Sequence, residues 1–166
     1  MFNREAIESA QRVVRATMPP TPQQPWPLLD QRVGAQVWVK HENHTPVGAF
    51  KLRGGLTYFD ALRQREPHRA SVISATRDNH GQSVGFAARR HGMGATIVVP
   101  HGNSVEKNAA MRALFADTHN VAEGAGAAAL AAALAQRESL AGRCVAITLS
   151  GGNVDSDVFA RVLADR

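Results

Sequence analysis

Apolar positions along this chain of 166 residues follow two alternating rhythms, stretches of helical period and short continuous runs. From a capping Asn3 to about Thr17, Ile7, Ala10, Val13 and Val14 fall on one side, as in an amphipathic helix. Five prolines, Pro19, Pro20, Pro22, Pro25 and Pro27, then bar regular structure, so Met18 to Leu28 is expected to be an extended connector. Gln36 to Lys40 reads as a strand. Pro46 and Gly48 end that extended run, and Phe50, Leu52, Leu56, Phe59 and Leu62 predict a helix to Arg65 with Lys51 in its first turn. Ser71 to Ser74 is a short buried-strand pattern, Ala75 to Gln82 a polar turn, and Ser83 to Arg90 a helix closed by His91 and Gly92. Ala95 to Val99 is the next strand, ended by Pro100. Asn103 and Glu106 have capping-box spacing for a helix from Ser104 to about Phe115.

The pattern lapses from Ala116 to Asn120 and resumes as an alanine-rich helix from Glu123 or Gly124 to about Arg137. Arg143 to Leu149 is the last strand, Ser150 to Asn153 a glycine-containing loop, and about Ser156 to Leu163 a short amphipathic helix. Such strand and helix alternation argues for an α/β fold, a parallel sheet flanked by helices, with ligands at the C-terminal strand ends.

Composition narrows the class. The apolar share of 44% and charged share of 20% are those of a globular chain. Its length suffices for one domain, or one and a fragment. No apolar run approaches a membrane span, and Asn3-Arg4-Glu5 lacks the basic start of a signal peptide, so the expected location is the cytoplasm, with no membrane partner. The net charge of +5 raises the question of nucleic acid. The basic residues, among them Arg4, Arg12, Arg15, Arg63, Arg89 and Arg90, are scattered over several helices without an aromatic-interleaved stripe, so none is expected. An anionic ligand agrees with the same charge. Cys144, in the apolar run Cys144-Val145-Ala146-Ile147, is expected to be a buried, reduced thiol. His41, His44, His80, His91, His101 and His119 lack metal-site spacing with cysteine or carboxylate partners, and most read as surface or loop histidines. Gly124-Ala125-Gly126-Ala127-Ala128-Ala129 imitates a dinucleotide fingerprint, but no strand precedes it.

Three stretches could carry chemistry. At the start of a helix, unpaired N–H groups, the positive dipole end and flanking Phe50 and Leu52 disfavour a charged Lys51. A neutral, desolvated amine suits a Schiff base with a carbonyl cofactor, the alternative being a solvated surface lysine. Ser74 to Gln82 places a strand end, polar loop and helix start in sequence, either an anion-binding geometry or an ordinary capped turn. Ser150-Gly151-Gly152-Asn153 is either a plain glycine-rich turn or a place where backbone approaches a flat ring closely.

The segment Thr45-Pro46-Val47-Gly48-Ala49-Phe50-Lys51-Leu52-Arg53-Gly54 resembles the cofactor-lysine segment of the fold-type II pyridoxal-phosphate enzymes, in particular the threonine and serine dehydratases. Lys51 falls on the Schiff-base position. Asn79-His80-Gly81-Gln82 is similar to that family's substrate-carboxylate loop. The resemblance implies that Asn79 contacts the cofactor and that Ser74, Asn79, His80 and Gln82 line the carboxylate site. Ser150-Gly151-Gly152-Asn153 looks like the motif whose serine meets the pyridine nitrogen, and Glu123-Gly124-Ala125-Gly126 resembles a less specific segment near the cofactor. The implied fold is tryptophan synthase β-like, and the implied cofactor is pyridoxal 5'-phosphate. The implied activity is an ammonia-lyase that converts L-threonine to 2-oxobutanoate and ammonia, or L-serine to pyruvate, as in isoleucine biosynthesis. Lys51 is its catalytic residue and the partner a small amino-acid substrate. Amino-acid racemases share all three motifs, and homo-oligomers are usual in the family.

This sequence departs from the pattern in two ways. Asp78 stands where the family usually has glycine, which is expected to weaken anion binding. Family members are also about twice this long. Residues 1–115 resemble the N-terminal part of the enzyme domain and 116–166 its C-terminal part, joined within Ala110 to Asn120. The missing middle includes the glycine-rich phosphate loop. Losing three charge-assisted hydrogen bonds of about 1.5 kcal/mol each removes about 4.5 kcal/mol, or about a thousandfold in affinity. A non-catalytic, internally deleted remnant is the second expectation.

Overall fold

The computed structural model describes residues 3–76, 79–98 and 105–164. Asp78, Pro100 and the Asn103 cap therefore lie outside the described residues. The chain divides into two compact units, Met1–Pro20 with Thr45–His101, and Thr21–His44 with Gly102–Arg166.

The first unit opens with α1 (Arg4–Arg15), capped as expected by Asn3, whose Oδ1 accepts from the Ala6 amide at 2.9 Å. α3 (Leu52–Arg65), β3 (Ser71–Ala75), α4 (His80–Arg90) and β4 (Gly94–Val98) complete it. β3 and β4 are parallel, with Ile73 opposite Thr96. The right period on α3 buries Phe59 and Leu62 against Val84, Ala87, Ala88 and Met93. Its N-terminal turns bury Leu52 and Leu56 against Val14 and Met18.

In the second unit the proline-rich stretch is not simply a connector. It holds β1 (Gln23–Pro25) and then α2 (Pro27–Val33). Proline at the first helical position sacrifices an N–H that has no helical partner anyway, so Pro27 starts a helix rather than preventing one. Gly34, at φ 75°, ends α2 in the left-handed conformation that glycine adopts freely. β2 (Gln36–His41) pairs antiparallel with β1 and parallel with β5 (Cys144–Leu149). Asp30 Oδ1 accepts from the Val37 amide at 2.7 Å, tying α2 to β2. A 3-10 turn (Glu42–His44) follows β2.

α5 (Val105–Thr118) runs three residues past its expected end, and the expected single alanine-rich helix is two, α6 (Ala128–Ala135) and α7 (Arg137–Leu140). α8 (Ser156–Ala164) comes last. Leu29, Val33, Val37, Val39, Leu114, Leu130, Ile147 and Leu149 form the core of this unit. Strand alternation turns Ile147 and Leu149 inward, so Cys144 lies outward and is exposed, correcting the expectation of a buried thiol. No helix among the described residues is long and apolar enough to cross a membrane.

Candidate functional site

The loop before α3 is fixed by one side chain. Thr45 Oγ1 accepts from the Ala49 amide and donates to the Ala49 carbonyl, each at 2.8 Å, and Gly48 turns the chain at φ 68°. Lys51 is then the cap residue immediately before α3, one position earlier than the apolar period predicts. It is half-buried, with Nζ 6.0 Å from the centre of the Phe50 ring, at the outer limit of a cation–π contact. Its carbonyl accepts from the Gly55 amide at 3.1 Å and from Ser83 Oγ at 2.7 Å. Ser83, in α4, is fully buried. The bond therefore fastens the lysine-bearing end of α3 to α4.

α4 begins at His80 rather than Ser83, so Asn79-His80-Gly81-Gln82 forms its cap and first turn. Asn79 is buried and its carbonyl accepts from the Ser83 amide at 3.1 Å. A Cβ on Gly81 would stand 2.7 Å from Ile97 Cγ2 and 2.9 Å from Thr76 Cγ2. Only glycine lets this first turn close on the ends of β3 and β4. Local geometry thus explains a glycine at that place in the motif, independently of any ligand.

A cleft of about 750 Å³ takes Lys51, Ser74 and His80 into one lining, with Phe59, Val84 and the exposed Tyr58 among its apolar walls. Asn79 and Gln82 are outside that lining, Asn79 buried and Gln82 exposed. At the other end of α3, Glu66 shares the cleft with Arg69. A hydrogen bond from Arg69, helped by Arg65, holds its carboxyl below the usual range.

Ser150 belongs to the second unit, directly after β5. Its Oγ donates to the Ala125 carbonyl at 3.3 Å. A Cβ on Gly126 would lie 2.0 Å from the Gly151 carbonyl oxygen, and one on Gly152 would lie 2.8 Å from that of Val121. Gly126 and Gly152 therefore serve close packing of backbone on backbone. His41 is not a surface or loop histidine. It is fully buried at the end of β2, accepts from Trp26 Nε1 at Nε2 (3.0 Å), and stacks on His44 with ring centres 5.1 Å apart.

Sequence reasoning passed over Ser83 and Gly55, which hold Lys51 in place. Signals were present, because Ser83 directly follows the polar motif and Gly54-Gly55 interrupts an otherwise good helical run. A helix interior keeps glycine at a cost when another chain must come close.

A family model described as pyridoxal-phosphate dependent enzyme matches residues 14–122, well over half of the chain. The chain belongs to that family. Pyridoxal phosphate is the family's cofactor, and its amine-reactive aldehyde accords with a lysine at the wall of a largely apolar cleft. Among its relatives, L-threonine dehydratase biosynthetic IlvA of Haemophilus influenzae is 37% identical over 92 residues, covering 55% of this chain and 18% of that protein. L-threo-3-hydroxyaspartate ammonia-lyase of Pseudomonas sp is 40% identical over 87 residues, covering 51% of this chain and 26% of that protein. The match thus spans roughly a fifth to a quarter of these curated relatives. In fold, the chain is similar to maize serine racemase, with a TM-score of 0.79 at 15% identity over 98% of each chain. The threonine deaminase of T.th. gives 0.77 at 18% identity, covering 93% of this chain and 99% of that one. Both share the α/β fold with this family member.

Proposed function

We propose that this chain carries the lysine and carboxylate-binding part of a pyridoxal-phosphate-dependent ammonia-lyase site acting on a small β-hydroxy amino acid, L-threonine first and L-serine second. The observation that carries the reading is the shared lining of Lys51, Ser74 and His80 in one cleft of the first unit. The names of the relatives, threonine dehydratases and a hydroxyaspartate ammonia-lyase, support the lyase over the racemase. The cleft fits the cofactor's flat aldehyde ring in volume and wall chemistry. In this reading the segments 1–115 and 116–166 are the two ends of one enzyme domain whose middle is missing.

Lys51 Nζ would hold the cofactor and take the proton from the substrate Cα. Ser74, Asn79, His80 and Gln82 would receive the substrate carboxylate, and Asn79 would also contact the cofactor. Ser150 would take the pyridine-nitrogen role, a reading that its motif alone supports. When bound, pyridoxal phosphate supplies the electron sink that allows the β-hydroxyl to leave. The balance is L-threonine to 2-oxobutanoate plus ammonia, the water lost being regained. Isoleucine biosynthesis is the proposed route, a reading that the biosynthetic threonine dehydratases among its relatives support.

The test is borohydride reduction of the protein mixed with pyridoxal phosphate, followed by peptide mass mapping and a keto-acid assay with threonine. A reduced adduct on Lys51 and turnover lost in Lys51→Ala are expected. A folded protein that leaves Lys51 unmodified refutes the reading and makes the chain a non-catalytic member of its family.

A further inference from the structure

His41, the last residue of β2 in the second unit, lies with its Nε2 3.0 Å from Trp26 Nε1. An indole nitrogen only donates, so Nε2 must accept, and the neutral imidazole keeps its one proton on Nδ1. That Nδ1 is buried without a hydrogen-bond partner among the described residues, as is Asn43 Oδ1. Trp26 stands where β1 gives way to α2. It is the cap residue of α2, half-buried and packed against the core of this unit. Gln23 to Pro25, Pro27 and Leu28 are all exposed, so Trp26 is the large side chain that anchors this corner.

We propose that Trp26 and His41 form a proton-operated latch, in which a proton added at His41 Nε2 breaks the bond to Trp26 and loosens the corner between β1 and α2. Nδ1 already holds a proton, so Nε2 is where the next one goes, and two N–H donors then face each other with no acceptor between them. The surrounding groups set the range in which this happens. His44 stacks on His41 and Lys40 precedes it in β2, and a charge on either opposes another on His41. Glu42 follows it, with Oε1 accepting from Thr21 Oγ1 at 2.7 Å. On α2, which packs against β2, Asp30 accepts from the Val37 amide and Arg32 is bonded to Asp117. β1 brings no titratable side chain, and β5 brings Cys144 alone, opposite Gln36 at the far end of β2. Burial and these charges hold His41 below the ordinary histidine range, so the latch is closed at neutral pH and opens in acid. The inference needs no cofactor and stands apart from the ammonia-lyase reading.

Nuclear magnetic resonance of the full chain without pyridoxal phosphate tests it, the indole signals being assigned with Trp26→Phe. At about pH 8 the His41 ring nitrogens are expected to report a proton on Nδ1. As the pH falls, the Trp26 indole signal is expected to shift in one titration that the Trp38 signal does not share. Its hydrogen exchange is expected to quicken about tenfold relative to His41→Gln at the same pH. A glutamine amide can still accept from Trp26 but does not titrate, so the shift is expected to vanish in His41→Gln. A proton on Nε2 at about pH 8, a Trp26 signal unmoved until the chain unfolds, or a titration that survives in His41→Gln would each overturn the proposal. The first two need only the unsubstituted chain, so the test stands even where His41→Gln fails to fold.

Discussion

Gly55→Ala probes the contact on which the lysine depends. The new Cβ would stand 2.2 Å from Ser83 Oγ and 3.0 Å from the Ser83 carbonyl oxygen, well inside van der Waals contact. Ser83 Oγ can swing away only by giving up its 2.7 Å bond to the Lys51 carbonyl, a neutral hydrogen bond worth about 0.5–1.5 kcal/mol. The carbonyl cannot move without α4, and overpacking of this kind costs about 1–3 kcal/mol. Alanine gains about 0.5–1 kcal/mol over glycine inside a helix. The net loss is therefore about 0.5–4 kcal/mol. Urea unfolding followed by far-ultraviolet circular dichroism reads it, since both tryptophans, Trp26 and Trp38, lie in the other unit. Ser83→Ala deletes the oxygen that the methyl meets first. In that background the penalty of Gly55→Ala should shrink by about 1 kcal/mol. If the two penalties add to within about 0.3 kcal/mol, as those of independent sites do, the contact is not what fastens α3 to α4. Displacement of the Lys51 carbonyl should also lower the yield of the borohydride-trapped adduct.

Three further outcomes follow from the same geometry. Burial, then the neighbouring His44 and Lys40, push the His41 imidazole below its ordinary value, against a smaller opposing influence of Asn43. The unfolded chain therefore takes up that proton first: stability is complete above about pH 6.5 and falls below it by up to about 1.4 kcal/mol per pH unit. In urea unfolding followed by tryptophan emission, His41→Gln should flatten that slope, and an unchanged slope would refute the assignment. Arg32 makes two hydrogen bonds to the buried Asp117 carboxylate, one of them 2.7 Å long. Because the Arg32 side chain is 44% exposed, Arg32→Met is expected to cost about 1–3 kcal/mol rather than the 3–5 of a fully buried pair. A loss below about 0.5 kcal/mol in the same unfolding assay would contradict it. Gly126→Ala would put a Cβ 2.0 Å from the Gly151 carbonyl oxygen, whereas a Cβ on Gly85 meets nothing within 4 Å. The first should cost more than about 3 kcal/mol and the second should be neutral or stabilising by up to about 1 kcal/mol, as thermal unfolding of the pair will tell.

Elements whose boundaries are set locally were legible in the sequence. Asn3 caps α1 as its side-chain chemistry predicts, and the apolar period of α3 names the residues it buries, Leu52, Leu56, Phe59 and Leu62. Other features are set by partners far along the chain. α5 continues through Asp117 and Thr118 because Asp117 meets Arg32, 85 residues away, and Thr118 Oγ donates back to the Leu114 carbonyl. Read locally, two polar residues there are simply an end of period. α2 was hidden because Pro27 was weighed as a breaker, although Leu29 and Val33, one helical turn apart, are both in the core. The same limit applies to the site. Lys51, Ser74 and His80 are adjacent to strand and helix ends, which sequence locates well. Ser83 acts through a carbonyl 32 residues away, and no pattern of side chains announces that.

The two sheets differ in what they ask of their surroundings. Parallel strands are ordinarily buried on both faces and read as continuous apolar runs. Here β5 alternates, turning Ile147 and Leu149 into the core while Ala146 and Thr148 stay exposed, and water tolerates that outward set. β3 and β4 instead expose Ile73 and Val98, at 75% and 55%, and among the described residues they pair only with each other. Large aliphatic side chains in water lose the stabilisation of about 1.5–3 kcal/mol that full burial gives each. Among its described residues the first unit therefore leaves more large apolar surface in water than the second.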